Sequence, residues 1–109
     1  MTVGLFTIEL HLPEARSLKA KRQVVQKLKS RVKARFNVAV AELSEHADLW
    51  QRAGLMFVSV ASRQEPLERL FESVLREAES QVPGHVIEIG RDYLDASGGG
   101  PDEWDGESE

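Results

Sequence analysis

The run VGLFTIELHL at residues 3–12 alternates without a break, with Phe6, Ile8, Leu10 and Leu12 on one side and Thr7, Glu9 and His11 on the other. A period of two marks a strand with one face buried, and Pro13 ends it. Beyond Pro13 the period changes. Ser17 is placed to cap a helix running to about Arg35. Leu18, Val24, Val25, Leu28 and Val32 fall within one arc at 100° per residue, the stripe such a helix turns toward a core.

The same alternation of elements continues. Residues 36–43 (FNVAVAEL) read as a second strand with Phe36, Val38 and Val40 on one face. A polar connection, SEHADLWQR (44–52), leads to a third strand at 54–61 (GLMFVSVA), where Met56, Val58 and Val60 are expected inward. Ser62 and Glu65 match a capping box, in which each side chain satisfies the other's free backbone donor. Leu67, Leu70, Phe71, Val74, Leu75 and Ala78 recur behind it at helical spacing, and Pro83-Gly84 stops the second helix. HVIEIGR (85–91) supplies a last strand, with Ile87 and Ile89 expected inward.

The order βαββαβ, with two right-handed crossovers, predicts an α+β ferredoxin-like plait. Its four-stranded antiparallel sheet, in the order 4-1-3-2, carries both helices on one face. Residues 1–95 form this domain. Residues 96–109, rich in Gly, Ser, Pro and acid, have little to bury and are expected to be a disordered acidic tail.

The chain has 109 residues, 41% of them apolar, which suits one domain rather than two. It has no cysteine, which excludes disulfides, thiolate metal sites and thiol catalysis. No stretch reaches the 18 or so apolar residues of a membrane span, and no signal peptide opens the chain, so the cytoplasm is the expected compartment.

The formal charge of −4 divides unevenly. Seven acidic residues and no basic ones follow Arg91, leaving 14 basic against 11 acidic residues before them, a net of +3. Nine of those 14 lie between Arg16 and Arg35, where no acidic residue occurs. Clustering of this kind attracts anionic partners.

On the first helix Arg22, Lys29 and Lys33 share one flank of the apolar stripe, while Lys27, Arg31 and Arg35 descend the other side. Rows of cations hold nucleic-acid phosphates by releasing condensed counterions. The competing reading pairs these charges with Glu65, Glu68, Glu72, Glu77 and Glu79 of the second helix. Lys21 falls inside the apolar arc, where an unpaired charge is costly. Its stem is expected to cross the core edge and its amine to join Arg16, Lys19 and the free N–H groups of the helix start in an anion pocket. The alternatives are plain snorkelling or a salt bridge to Glu14 or Glu42. Trp50, beside Gln51 and Arg52, has two readings: stacking on a base or a partner, or closing the sheet end as satellite core.

The outer sheet face is expected to carry Leu5, Thr7, Glu9, Asn37, Ala39, Leu55, Phe57, Ser59 and Val86. With one aromatic and no K/R-G-F/Y signature, it lacks the stacking platform of RNA-recognition motifs. A mixed apolar patch points instead to self-association.

ARSLKAKRQVV (15–25), RFNVAVAE (35–42) and DLWQRAGL (48–55) resemble the YlxP-like family of small bacterial proteins over about residues 1–93. The matching positions are Arg16, Ser17, Leu18, Lys19, Lys21 and Arg22, with Asp48, Leu49, Trp50, Gln51 and Arg52. The resemblance implies a ferredoxin-like plait. It also implies a link to RNA or ribosomes, because the genes of family members often neighbour those of transcription, translation-initiation and ribosome-maturation factors. It supplies no catalytic residue.

His11, His46 and His85 lack metal-ligand spacing, and no nucleophile elbow, P-loop or dinucleotide motif occurs. A glycine-free first connection (PEARS, 13–17) argues against a small-ligand sensor. No catalytic residue, metal site, cofactor or small-molecule substrate is therefore expected. The leading expectation is a non-enzymatic RNA- or ribosome-associated factor binding phosphates through Arg16, Lys19, Lys21, Arg22, Lys29, Lys33, Trp50 and Arg52. The alternative is a homodimeric interaction module using the open sheet face. An acidic tail competing with RNA for the basic helix is a further conjecture, set against a merely solubilising role.

Overall fold

The computed structural model describes residues 1–96; the acidic tail beyond them lies outside the described residues. The elements run β1 (Thr2–His11), α1 (Leu18–Arg35), β2 (Ala39–Leu43), a single 3-10 turn (Ser44–His46), β3 (Arg52–Ala61), α2 (Gln64–Gln81) and β4 (His85–Asp95). The sheet order is β2-β3-β1-β4, with every neighbour antiparallel, so the βαββαβ chain forms the expected ferredoxin-like plait.

β1 supplies the centre. Phe6, Ile8, Leu10 and Leu12 are buried beneath the helices. The Phe6 ring lies 5.1 Å from that of Phe71 on α2 and 6.0 Å from that of Phe57 on β3. Gly4 leaves room for this packing: a Cβ there would stand 2.8 Å from the Phe71 ring. Ser17 caps α1, its hydroxyl accepting from the Ala20 amide at 3.0 Å. Val25, Leu28 and Val32 turn inward below it.

The first turn of α2 departs from the sequence reading. Arg63 rather than Ser62 is the N-cap, and it makes no side-chain cap bond. Ser62 therefore stands one residue too early for a capping box. Pro66 occupies the third helical position and has no N–H for an N-cap side chain to receive.

Two strands also turn their faces opposite to expectation. Residues directly opposite in a ladder share a face, and Phe57 pairs with Phe6 and Leu55 with Ile8. Leu55, Phe57 and Ser59 are thus buried, and Met56, Val58 and Val60 point to the open side. Ser59 tolerates burial because its hydroxyl donates to the Asn37 carbonyl at 2.6 Å. On β4, a shift in pairing between Thr7 and Ile8 leaves Ile89 as an extra residue, a β-bulge. Val86 faces the core before the bulge, Arg91 and Tyr93 after it, and Ile87 and Ile89 are exposed. The Arg91 guanidinium lies 4.9 Å over the Phe6 ring and donates to Glu88 at 2.7 Å and Glu72 at 2.8 Å. Its pKa is raised by the Glu88 hydrogen bond, against burial, with smaller help from Glu72 and Tyr93.

Among the described residues, no helix is long and apolar enough to cross a membrane.

Candidate functional site

The cations of α1 divide into two populations. On the side toward α2, Arg35 donates to the Glu77 carboxylate and Arg31 lies 3.7 Å from it. Glu77 is buried to 7% exposure, and these two cations supply the pairing that burial of a carboxylate demands.

On the opposite flank Lys19, Arg22, Lys29 and Lys33 have no carboxylate within 4.0 Å among the described residues, and neither do Arg16 before the helix or Lys27 on its outer surface. At 100° and 1.5 Å per residue, Lys19 to Lys33 occupy about 80° of circumference and about 21 Å of length. This stripe borders the β2 side of the molecule, away from α2. The expected pairing across the two helices is thus made by Arg31 and Arg35 with Glu77.

Lys21 overturns the expected anion pocket. It is 2% exposed, and its ammonium donates to the carbonyls of His46 (2.9 Å), Arg52 (3.2 Å) and Ala47 (3.4 Å). The amine stays inside the molecule because the 44–52 connection folds over the start of α1 and turns three carbonyls toward it. Neither Glu14 nor Glu42 is its partner. A buried ammonium thereby fixes a loop instead of offering a charge to solvent.

That loop carries Trp50. Gln51 ties it down further, accepting from the Leu12 amide at 2.9 Å and donating to the Pro13 carbonyl at 3.0 Å. Trp50 is nevertheless 52% exposed and Leu49 nearly as much, so the ring does not close the sheet end as core. With His11, Pro13, Arg52 and His85 they line an open groove of about 820 Å3. Arg52 is half exposed, and its Nε lies 3.4 Å from Glu9. The same Glu9 oxygen takes His11 at 3.0 Å and His46 at 3.5 Å. This Glu9 network escaped the sequence reading. Glu9 and His11 share a strand face by period, but nothing in the chain announces that His46 and Arg52 arrive beside them.

Of the predicted site residues, Arg16, Lys19, Arg22, Lys29 and Lys33 remain available to solvent or half so, Trp50 and Arg52 sit together on the groove, and Lys21 is withdrawn.

A curated relative, the Uncharacterized protein YlxP of Bacillus subtilis (strain 168), is 33% identical over 73 residues, spanning 67% of this chain and 78% of the relative. Among solved structures, a mutant of SnoaB, a cofactor-independent oxygenase from Streptomyces nogalater, superposes with a TM-score of 0.47 at 10% identity, covering 92% of this chain and 97% of that one. Residues 3–91 match the model of the family described as Protein of unknown function (DUF503), and the chain belongs to that family.

Proposed function

We propose that this protein is a non-enzymatic, cytoplasmic RNA-binding factor, associated with the ribosome, that holds phosphates along the outer flank of α1. The carrying observation is the stripe Lys19, Arg22, Lys29 and Lys33, which has no carboxylate partner among the described residues while the neighbouring Arg31 and Arg35 share the Glu77 carboxylate. Arg16 extends the stripe toward the groove end of the molecule, where Trp50 offers a ring for stacking an unpaired base and Arg52 an additional donor. A stripe on a helix surface reads backbone and shape rather than base sequence.

The test is RNA binding across a salt series for wild type and for Lys29→Glu/Lys33→Glu. Each phosphate contact contributes about 0.7 to the slope of log affinity against log salt for a single strand. The double variant should bind more than about tenfold more weakly at low salt, with a slope shallower by about one to two. Pull-down of native ribosomal subunits at two salt concentrations, wild type against Lys19→Glu/Arg22→Glu, addresses the partner. Wild-type affinity that does not change with salt rules the reading out.

A further inference from the structure

The face of the sheet opposite the helices is more apolar than the chain's alternation suggests. The β3 register brings Met56, Val58 and Val60 onto it beside Leu5 and Val3 of β1, and β4 adds Ile87 and Leu94, with Ile89 exposed at the bulge between them. Val60, Ile89 and Leu94 are each more than half exposed. Contiguous apolar surface of this kind marks an interaction site.

We propose that this face is covered by the same face of a second copy of the chain, giving a two-layer sheet sandwich with the helices outermost. Size supports it. Three strands about 33 Å long and the half-length β2, about 4.8 Å apart, present roughly 550 Å2 in projection. Side-chain relief enlarges the accessible area toward the roughly 800 Å2 per partner of a stable interface.

Charge supports it too. The Glu9 carboxylate is paired within its own copy with Arg52, and contacts the rings of His11 and His46, at one end of the face. The centre, formed by Leu5, Thr7, Met56 and Val58, is uncharged, and Asp92, which stands opposite Leu5 on the edge strand β4, lies across the face from its two-fold mate. The relief is also self-complementary. β2 is five residues long and shows Ala39, Ala41 and, at its far end, Leu43 on this side, while β4 at the other edge shows Ile87 and Leu94. A two-fold axis along the strands seats β4 of each copy over the short, alanine-bearing β2 of the other, as an isologous contact requires. The phosphate-binding stripes of α1 then remain exposed on both outer layers, so the inference is independent of the RNA reading.

The experiment measures the mass of the full chain in solution by light scattering at high micromolar concentration. Wild type should show twice the monomer mass. Val60→Asp/Leu94→Asp, which alters two exposed side chains, should halve that mass while keeping its helical and strand circular dichroism. Lys29→Glu/Lys33→Glu should remain dimeric. The chain has no cysteine, so Thr7→Cys supplies one thiol per copy at the centre of the face. A short thiol crosslinker should join the copies through it, and should not do so for Gln26→Cys on the helix surface. A monomeric wild type overturns the proposal. So does a dimer that survives both aspartates, or crosslinking equal at the two thiols.

Discussion

The Lys21 ammonium donates at 2.9 Å to the carbonyl of His46, 25 residues further along the chain. A charge in the first turns of α1 thus determines where the Trp50 loop sits. Replacing the amine by a thioether of similar length, Lys21→Met, leaves three carbonyls without that donor. A buried polar group without a partner costs about 1–3 kcal/mol. The expected result is a lower melting temperature, together with faster amide exchange confined to residues 44–52.

Glu77 allows stability and RNA affinity to be moved in opposite directions. Glu77→Gln removes the carboxylate that Arg31 and Arg35 share, one negative charge against their two positive ones. Losing one partner of a buried pair is destabilising, so the melting temperature should fall. Two guanidinium groups are released onto the helix that carries the phosphate stripe, so RNA affinity at low salt should rise. A fall in both would mean that the binding surface depends on the fold around Glu77 rather than on charge.

The orientation of β3 is tested by two glutamates three residues apart. Phe57 is fully buried and stands against Phe6, so Phe57→Glu puts an unpaired charge in the core and should abolish cooperative unfolding. Val60→Glu on the open side should unfold cooperatively, near the wild-type midpoint in the monomer. The reverse outcome would restore the inverted register.

Gly84 and Gly90 make a matched pair. A Cβ at Gly84 would stand 2.1 Å from the His11 carbonyl oxygen, a backbone atom that cannot step aside, whereas a Cβ at Gly90 meets nothing within 4 Å. Gly84→Ala should cost about 1–3 kcal/mol as overpacking. Gly90→Ala should leave stability within about 0.5 kcal/mol of wild type or improve it. Thermal or denaturant unfolding of the two variants checks both.

The raised pKa of Arg91 sets a pH expectation. A cation held above its ordinary value contributes its stabilisation at every pH below that value and loses it only at more alkaline pH. Between neutrality and about pH 10 the Arg91 contribution should therefore be flat. Arg91→Lys cannot serve Glu88 and Glu72 with one planar fork. It should lower stability across that range and decline further as pH approaches the ordinary lysine value of about 10.4. Denaturant midpoints of the two proteins along a pH series check this.

These residues also show where the chain declares its fold and where it does not. β1 and both helices were legible because each sets apolar against polar side chains at one clear period, as in Phe6, Ile8 and Leu10 against Thr7, Glu9 and His11. GLMFVSVA was not, because both of its rows are apolar and periodicity cannot choose between Phe57 and Val58. Pairing with β1 decides, and pairing is a long-range property. On β4 the extra residue reverses the alternation midway, so no single period describes the strand. At the candidate site the position of Lys21 in the apolar arc was visible from spacing alone. Its partners were not, since carbonyls in a distant loop have no signature in side-chain order. Nothing in the order of cations along α1 marks Arg31 and Arg35 off from Arg22, and only the arrival of Glu77 separates them.

The extra residue at Ile89 has a consequence for how this strand tolerates change. The half before it must send Val86 under the helices, and the half after it must send Arg91 to Glu72 and Tyr93 toward Phe71. Removing the extra residue would leave Glu88 opposite Ile8, Gly90 opposite Thr7 and Arg91 opposite Phe6 in a regular ladder, with Val86, Arg91 and Tyr93 still on the helix side. A deletion at Ile89 should therefore be tolerated better than one at a paired position of β4, where the loss of one residue turns every following side chain to the other face.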